Sequence, residues 1–376
     1  MAVKIIRMAT IGLSLDTFCR GLLQELSADY EVVALSSPDS HLDSLGKREG
    51  VRTIGVEMKR EIAPLADLRS LIRLVREFRR ERPQMVHTMT PKAGLLGMMA
   101  ARIAGVPLRV HTFTGLLFPT ATGLKKQILR LTDRLTCACA THIIPEGEGV
   151  RNDLIAGGIT RKPLRVLSHG NVRGVDLDHY RPSESIDAQA AELRRRFGIR
   201  PGDKVLLYAG RADRDKGIAE LTKAFRTLGR KDTHLLLAGD FKDSPLLPAD
   251  MSNIHLSDGW TADIRPWMRA ADIFILPSYR EGFPNTVLEA GAMCRPSVVT
   301  DINGSREIIT DGVNGLIVEP RTVAPLREAI LKLISDPALC HEMGLRARKN
   351  VELKFSQPYV RSCLKEFYRT IIPTAQ

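Results

Sequence analysis

Residues 271–289 read ADIFILPSYREGFPNTVLE. After Ala271-Asp272, residues 273–276 are an apolar run that ends at Pro277-Ser278, the pattern of a buried strand closed by a turn. Gly282 and Pro284 then form an elbow. Proline near a first helical position costs little, because its missing N–H would be unpaired there anyway. The segment therefore predicts strand, turn and helix in succession. A helix that starts at the C-terminal end of a parallel strand offers backbone N–H groups to an anion. Glu281 stands at the mouth of this elbow and Glu289 eight residues on, a little over two helical turns away and on nearly the same face. Two carboxylates so placed suit a polyhydroxyl ligand whose phosphate sits between them. The plain alternative, a solvated loop and a solvated glutamate, fits either residue alone better than it fits the whole pattern.

Outward from this stretch the chain alternates strand-like and helix-like runs. Val3–Ala9, Tyr30–Leu35, Gln84–Thr88, Leu108–Phe113, His142–Pro145 and Leu164–Leu167 read as strands, with helical patterns such as Ala66–Glu81 and Pro91–Ile103 between them. The pattern restarts after the polar stretch Arg181-Pro182-Ser183-Glu184-Ser185, which reads as a linker. Lys204–Gly210, Thr233–Gly239, Ile254–Leu256, Asp272–Leu276, Ser297–Thr300 and Gly315–Val318 form a second set. Such alternation means α/β architecture with parallel sheets covered on both faces. The expected organisation is a first domain over 1–182, a second over 183–355 and a final helical segment over 356–376.

Composition narrows the function. The chain has 376 residues and a net charge of +12. Residues 51–182 hold 22 Lys and Arg against 11 Asp and Glu, so most of the excess lies in the first half. A nucleic acid, an anionic membrane surface and a phosphorylated substrate each suit a basic half. Nucleic acid is disfavoured, since no aromatic-basic interleaving or reader motif appears. No apolar run approaches the ~20 residues that cross a bilayer. The N-terminus reads as a first strand rather than a signal peptide, because Arg7 interrupts a short apolar stretch. Six scattered cysteines form no Cys-x-x-Cys pair, which argues against zinc and for a reduced, cytosolic protein.

Ligands of doubly wound sheets bind beyond the C-terminal ends of strands. That rule selects Gly210, Arg211 and Lys216 after the first strand of the second half. Arginine supplies a planar fork and lysine a mobile charge, a combination suited to a diphosphate. It also selects Trp260 and Thr261 in the loop after Ile254–Leu256, and Asp240 after Gly239. In the first half it selects Gly12 in the loop Thr10–Leu15 and Lys92 in Pro91-Lys92-Ala93-Gly94, with Arg60 in Met58–Ile62 of similar standing; His111 lies on the strand Leu108–Phe113 and Thr114 just after it. Each has a bland alternative: a solvated cation for Lys92 and Arg60, a packed core residue for His111, a buried loop anchor for Trp260.

The motifs together resemble the retaining glycosyltransferases of family 4. The resemblance rests on Glu-x7-Glu at Glu281/Glu289, on Tyr208-Ala209-Gly210-Arg211 with Asp215-Lys216-Gly217, and on Gly170-Asn171 with Gly174-Val175-Asp176. It rests also on Gly304-Ser305-Arg306-Glu307-Ile308-Ile309 and Asp311-Gly312-Val313-Asn314-Gly315-Leu316. It implies a GT-B fold, two doubly wound domains facing across a cleft, with a last helix crossing back to the first domain. It implies a nucleotide-sugar donor, UDP-linked by preference, and no metal cofactor. Arg211 and Lys216 would clamp its diphosphate with help from backbone groups of Gly282, Phe283, Pro284, Asn285 and Thr286. Glu289 would hold the ribose, Glu281 would meet the sugar, and the base would lie near Trp260 and Thr261. Gly12 would approach the donor from the first domain.

The acceptor implied is a polyprenyl-diphosphate-linked saccharide of capsule or O-antigen assembly, met by Lys92, Arg60, His111 and Thr114. Thr114 stands where many relatives carry histidine, which puts the usual sugar-side contact in question. Residues 116–135 combine Leu124, Ile128, Leu131 and Leu135 with Lys125, Lys126, Arg130 and Arg134, a pattern that suits peripheral contact with an anionic membrane at its cytoplasmic face. The rival readings are a UDP-N-acetylhexosamine 2-epimerase of the same architecture and a non-catalytic sugar-binding protein.

Overall fold

The structure is a computed structural model that describes residues 2–61, 63–241, 244–247 and 252–372. By backbone contacts the chain divides into two units, Met1–Arg173 together with Tyr359–Gln376, and Gly174–Pro358. Each unit is built on a six-stranded parallel sheet.

In the first unit the strands are β1 (Lys4–Ile11), β2 (Glu31–Ser37), β3 (Arg52–Gly55), β4 (Met85–Met89), β5 (Leu108–Phe113) and β6 (His142–Pro145), in the order β3-β2-β1-β4-β5-β6. The interior strands are buried on both sides, as a doubly covered parallel sheet requires: β1 is buried from Ile5 to Thr10 and β4 throughout. Separate apolar clusters fill the two faces. One packs Ile6, Met8, Val86 and Phe113 under the helices Pro64–Glu81, Pro91–Ile103 and Gly123–Cys139. The other packs Ile5, Ala9, Met85 and Val110 against Leu364, Phe367 and Tyr368 of the last helix, Gln357–Ile371. The last helix thus does return to the first sheet.

The second unit repeats the plan with β7 (Lys204–Ala209), β8 (Thr233–Ala238), β9 (Ile254–Leu256), β10 (Ile273–Leu276), β11 (Ser297–Thr300) and β12 (Gly315–Val318), in the order β12-β11-β10-β7-β8-β9. In both sheets the order reverses beside the first strand, between β1 and β4 and between β7 and β10. Such a reversal opens a crevice where the loops after the two strands part to opposite faces.

Three sequence expectations change. Leu164–Leu167 is no strand; Leu164 makes a single parallel bridge to Ile143. Pro163 has no N–H to extend the ladder, and Ser168 at φ 53° bends the chain away. The polar stretch around Ser183 is less a linker than a helix cap, since the Ser183 hydroxyl accepts from the Ile186 N–H and the helix Glu184–Arg196 starts at once. The short β3 was not anticipated at all. Residues 174–181 group with the second unit because Val175 pairs with Phe355 and Gln357, its N–H donating to the Phe355 carbonyl at 2.8 Å and its carbonyl accepting from the Gln357 N–H at 2.8 Å.

Candidate active site

The second unit's reversal point gathers most of the residues singled out from sequence. After β7 the chain runs through Gly210 and Arg211 to a single 3-10 turn, Arg214–Lys216, and turns at Gly217 (φ 69°) into the helix Ile218–Thr227. After β10 it runs through Pro277 and Glu281 to the helix Asn285–Ala292. Because β7 and β10 are neighbours, these loops lie side by side. The Tyr279 N–H donates to the Asp215 carbonyl at 2.8 Å, and Arg280 pairs with Asp215 at 2.9 Å. A Cβ on Gly217 would stand 2.1 Å from the Pro277 carbonyl oxygen, so only glycine lets the loops approach this closely.

The chemistry of the crevice follows from that contact. Lys216 Nζ lies 2.7 Å from Glu281 Oε1, with the two side chains 15 % and 17 % exposed. The Ser278 hydroxyl donates to the same oxygen at 2.8 Å. Glu281 is thereby fixed by residues from both loops, and Lys216 is held at the crevice with donors to spare. Arg211 is 63 % exposed and pairs with Asp213 at 2.7 Å. Tyr208, fully buried on β7, donates its hydroxyl to the Arg211 carbonyl at 2.9 Å and so fixes the backbone from which that side chain springs. Burial, with Glu281 nearby, raises the Tyr208 phenol well above its usual range.

Beside this crevice is a cavity of about 250 Å³ lined by Gly210, Gly239, Trp260, Thr261, Thr286 and Glu289, among others. Gly239 shapes its floor: a Cβ there would fall 2.0 Å from the Gly210 carbonyl oxygen. Glu289 is buried on the helix Asn285–Ala292. Trp260 is 73 % exposed, so it is not a loop anchor; its indole is presented to solvent at the cavity's rim. Asp240 is exposed and lies outside the lining. Sequence reasoning missed His179, Tyr180 and Asp263, which also line the cavity. Asp263 is held by Arg265, which keeps its carboxyl below the usual range.

The first unit's candidates are more scattered. Gly12 opens the helix Gly12–Cys19, but its N–H donates to Asp39 Oδ2 at 3.0 Å. Lys92 is 12 % exposed, 2.6 Å from Asp67 and 2.8 Å from the Glu61 carbonyl. Arg60 is exposed on a loop. His111 and Thr114 do come together, lining a small cavity of about 20 Å³ with Thr90, Leu116 and the half-buried Asp133. His111 Nδ1 is 2.8 Å from the Thr88 hydroxyl, and burial holds its pKa down to about 3, so the ring is neutral. Burial pushes the Asp133 carboxyl up to about 7; nothing in the sequence around it marked this residue. On the helix Gly123–Cys139, Leu124 (76 % exposed) and Leu131 (57 %) face solvent, as do Ile128 and Leu135 to a lesser degree. Leu117 is exposed but Phe118 is buried, so the preceding apolar tip is only partly presented.

Among the described residues no helix is long and apolar enough to cross a membrane. Nor do three or more His, Cys, Asp or Glu side chains among them gather as a metal would require.

Paired doubly wound units, with a cation-bearing crevice and an adjoining cavity in the second, define the GT-B class of nucleotide-sugar enzymes. Solved structures share the whole fold. A glycosyltransferase from Rickettsia africae covers all of both chains at a TM-score of 0.82 and 19 % identity. HepE of Anabaena, determined with UDP, covers 98 % of this chain and all of its own at 0.80 and 18 %. Residues 15–170 match the glycosyl transferase 4-like domain, and residues 203–336 match glycosyl transferases group 1. The chain belongs to this GT4-type glycosyltransferase family. Among curated relatives, the capsular polysaccharide biosynthesis glycosyltransferase CapM of Staphylococcus aureus is 29 % identical over 99 % of this chain and 98 % of its own. A UDP-Gal:α-D-GlcNAc-diphosphoundecaprenol α-1,3-galactosyltransferase of Escherichia coli is 26 % identical over 74 % of each. The protein is therefore a glycosyltransferase, which sets aside both the epimerase and the non-catalytic sugar binder.

Proposed function

We propose that this enzyme moves a hexose or N-acetylhexosamine from a UDP-sugar, with retention at the anomeric carbon, to a polyprenyl-diphosphate-linked saccharide in surface-polysaccharide assembly. The observation that carries the donor half is the 250 Å³ cavity with buried Glu289 on its wall, lined by Gly210, which precedes Arg211, and by Thr286 and Glu289 of the helix that follows Glu281. A nucleoside suits such a cavity. Glu289 accepts from ribose hydroxyls, and Trp260 stacks on the base. Arg211, Lys216 and the N–H groups at the start of the helix Asn285–Ala292 meet the diphosphate. Glu281 meets the sugar.

In the reaction the acceptor hydroxyl oxygen bonds to C1 as the bond from C1 to the diphosphate oxygen breaks. The acceptor proton passes to the departing phosphate oxygen on the same face. Arg211 and Lys216 stabilise the charge that grows on the leaving UDP. Glu281 is committed to Lys216 and Ser278, so it suits holding the sugar better than attacking it. A relative of capsular polysaccharide biosynthesis and one named for a GlcNAc-diphosphoundecaprenol acceptor support the acceptor class. On the acceptor side, His111 and Thr114 offer neutral hydrogen-bonding groups, Arg60 an exposed cation, and Lys92 a cation that exchanges Asp67 for phosphate. The exposed leucines and flanking cations of residues 116–135 support a peripheral position on the inner face of an anionic membrane.

A thermal-shift screen of UDP, GDP and ADP tests the donor. Saturating UDP, at about 100 times its Kd, adds about 2.7 kcal/mol of stability. Stabilisation by GDP or ADP in place of UDP would overturn the donor assignment. A product of inverted anomeric configuration, read by NMR, would overturn the proposed course.

A further inference from the structure

Arg7 lies in the middle of β1 with its side chain 2 % exposed. A guanidinium stays charged in a protein, and a charge is rarely buried without a partner of opposite sign. Arg7 has none: it takes part in no ion pair among the described residues. Its Nη1 is 2.6 Å from His87 Nδ1 and 2.6 Å from the Tyr368 hydroxyl, and its Nη2 is 3.5 Å from Cys19 Sγ. His87 is neutral, since burial first, and then Arg7 itself, holds its pKa well below the usual value. Tyr368 is neutral too, its phenol pushed up to about 12 by burial. The Arg7 Nε is buried with no hydrogen-bond partner. A strong donor and a full charge are thus left uncompensated.

The same residue lines a cavity of about 10 Å³ whose walls include Thr112, Ser168, Asn171, Val360 and Leu364. That is room for one small occupant. The lining mixes polar residues with apolar ones, and no acid is among them. A water molecule could satisfy Nε but would leave the charge unbalanced. Phosphate and sulfate, each of five heavy atoms, exceed the single small occupant that such a cavity admits. We propose that the cavity is a binding site for a single small monovalent anion of the halide class, held by Arg7. The occupant neutralises the guanidinium and braces the packing of the last helix, which supplies Tyr368, Val360 and Leu364, against the first sheet. Ser168 and Asn171 tie the site to the stretch by which the chain leaves the first unit after Arg173. The site is independent of the donor cavity and of the reading of the reaction above.

The test uses the full-length chain. Crystals grown in sodium bromide are expected to show an anomalous peak within hydrogen-bond reach of Arg7. In solution, chloride is expected to raise the melting midpoint over gluconate at equal ionic strength, by RT ln(1 + [anion]/Kd). Arg7→Met should abolish that increment. If Arg7→Met does not fold, Val360→Leu, which fills the cavity and leaves Arg7 in place, should abolish it instead. Bromide absent from Arg7 overturns the proposal. So does an equal chloride increment in the variant, or a peak seen only at molar bromide with no chloride-dependent midpoint, which marks an adventitious ion.

Discussion

Lys216→Ala separates a catalytic clamp from a structural ion pair. In the parent, Nζ lies 2.7 Å from Glu281, with both side chains roughly five-sixths buried. Exposed pairs contribute up to about 1 kcal/mol, and breaking fully buried ones costs about 3–5 kcal/mol. This pair falls between, so its loss costs about 1–2 kcal/mol of the second unit's stability. For a unit of this size that lowers the midpoint by about 2–8 °C. The kinetic effect is larger. If Lys216 meets the charge developing on the leaving diphosphate, its removal costs about 10²–10³ in turnover, as for one oxyanion-type donor. Release of UDP from a UDP-sugar, measured with and without acceptor, reads this directly. Glu281→Gln supplies the control, because it removes the partner's charge and leaves the lysine. Its UDP affinity should equal or exceed the parent's while transfer falls. Should Lys216→Ala turn over within about threefold of the parent and bind UDP equally well, the lysine only braces the loop, and the clamp assignment fails.

Other outcomes follow from the same geometry. Trp260→Ala should leave the midpoint unchanged, since the indole is exposed, yet weaken UDP about tenfold, the order of one base-stacking contact; calorimetric titration with UDP checks it. Gly239→Ala should both destabilise the second unit and abolish UDP binding, because its Cβ meets the Gly210 carbonyl at 2.0 Å; a variant with parental midpoint and affinity would contradict that. His111 takes up its proton near pH 3 when folded and near 6.5 when unfolded, so it makes stability fall as pH drops through that window. His111→Asn should flatten the pH dependence by about 1.4 kcal/mol per unit there, read from denaturant midpoints at pH 6.5, 5.5 and 4.5. Leu124→Glu with Leu131→Glu should release the protein from anionic vesicles in a sedimentation assay without changing UDP release in solution. Unchanged vesicle binding would remove 116–135 as the contact.

The parts of this enzyme that were legible in sequence are those set by local chain chemistry. The Gly-x-Pro elbow at 282–284 and the apolar run before it foretell a strand handing over to a helix, and β10 and the helix Asn285–Ala292 fall there. The alternation of runs foretold both sheets, save that it missed Arg52–Gly55 and read a strand over Leu164–Leu167, where Leu164 alone makes a bridge. What remained hidden depends on which strand lies beside which. Lys216 and Glu281 are 65 residues apart, and each alone reads as a solvated loop charge. They meet only because β10 lies next to β7, an order the local pattern does not contain. Lys92 shows the converse. Its place at a helix start invites a ligand, but packing sets Asp67 and the Glu61 carbonyl against it. Arg7 read as the residue that breaks an apolar stretch, whereas its strand is buried on both faces and the last helix closes over it. A charge at a loop end can be judged for function from its neighbours in sequence. A charge inside a sheet can be judged only from the helix that covers it, and in this chain that helix comes from the opposite terminus.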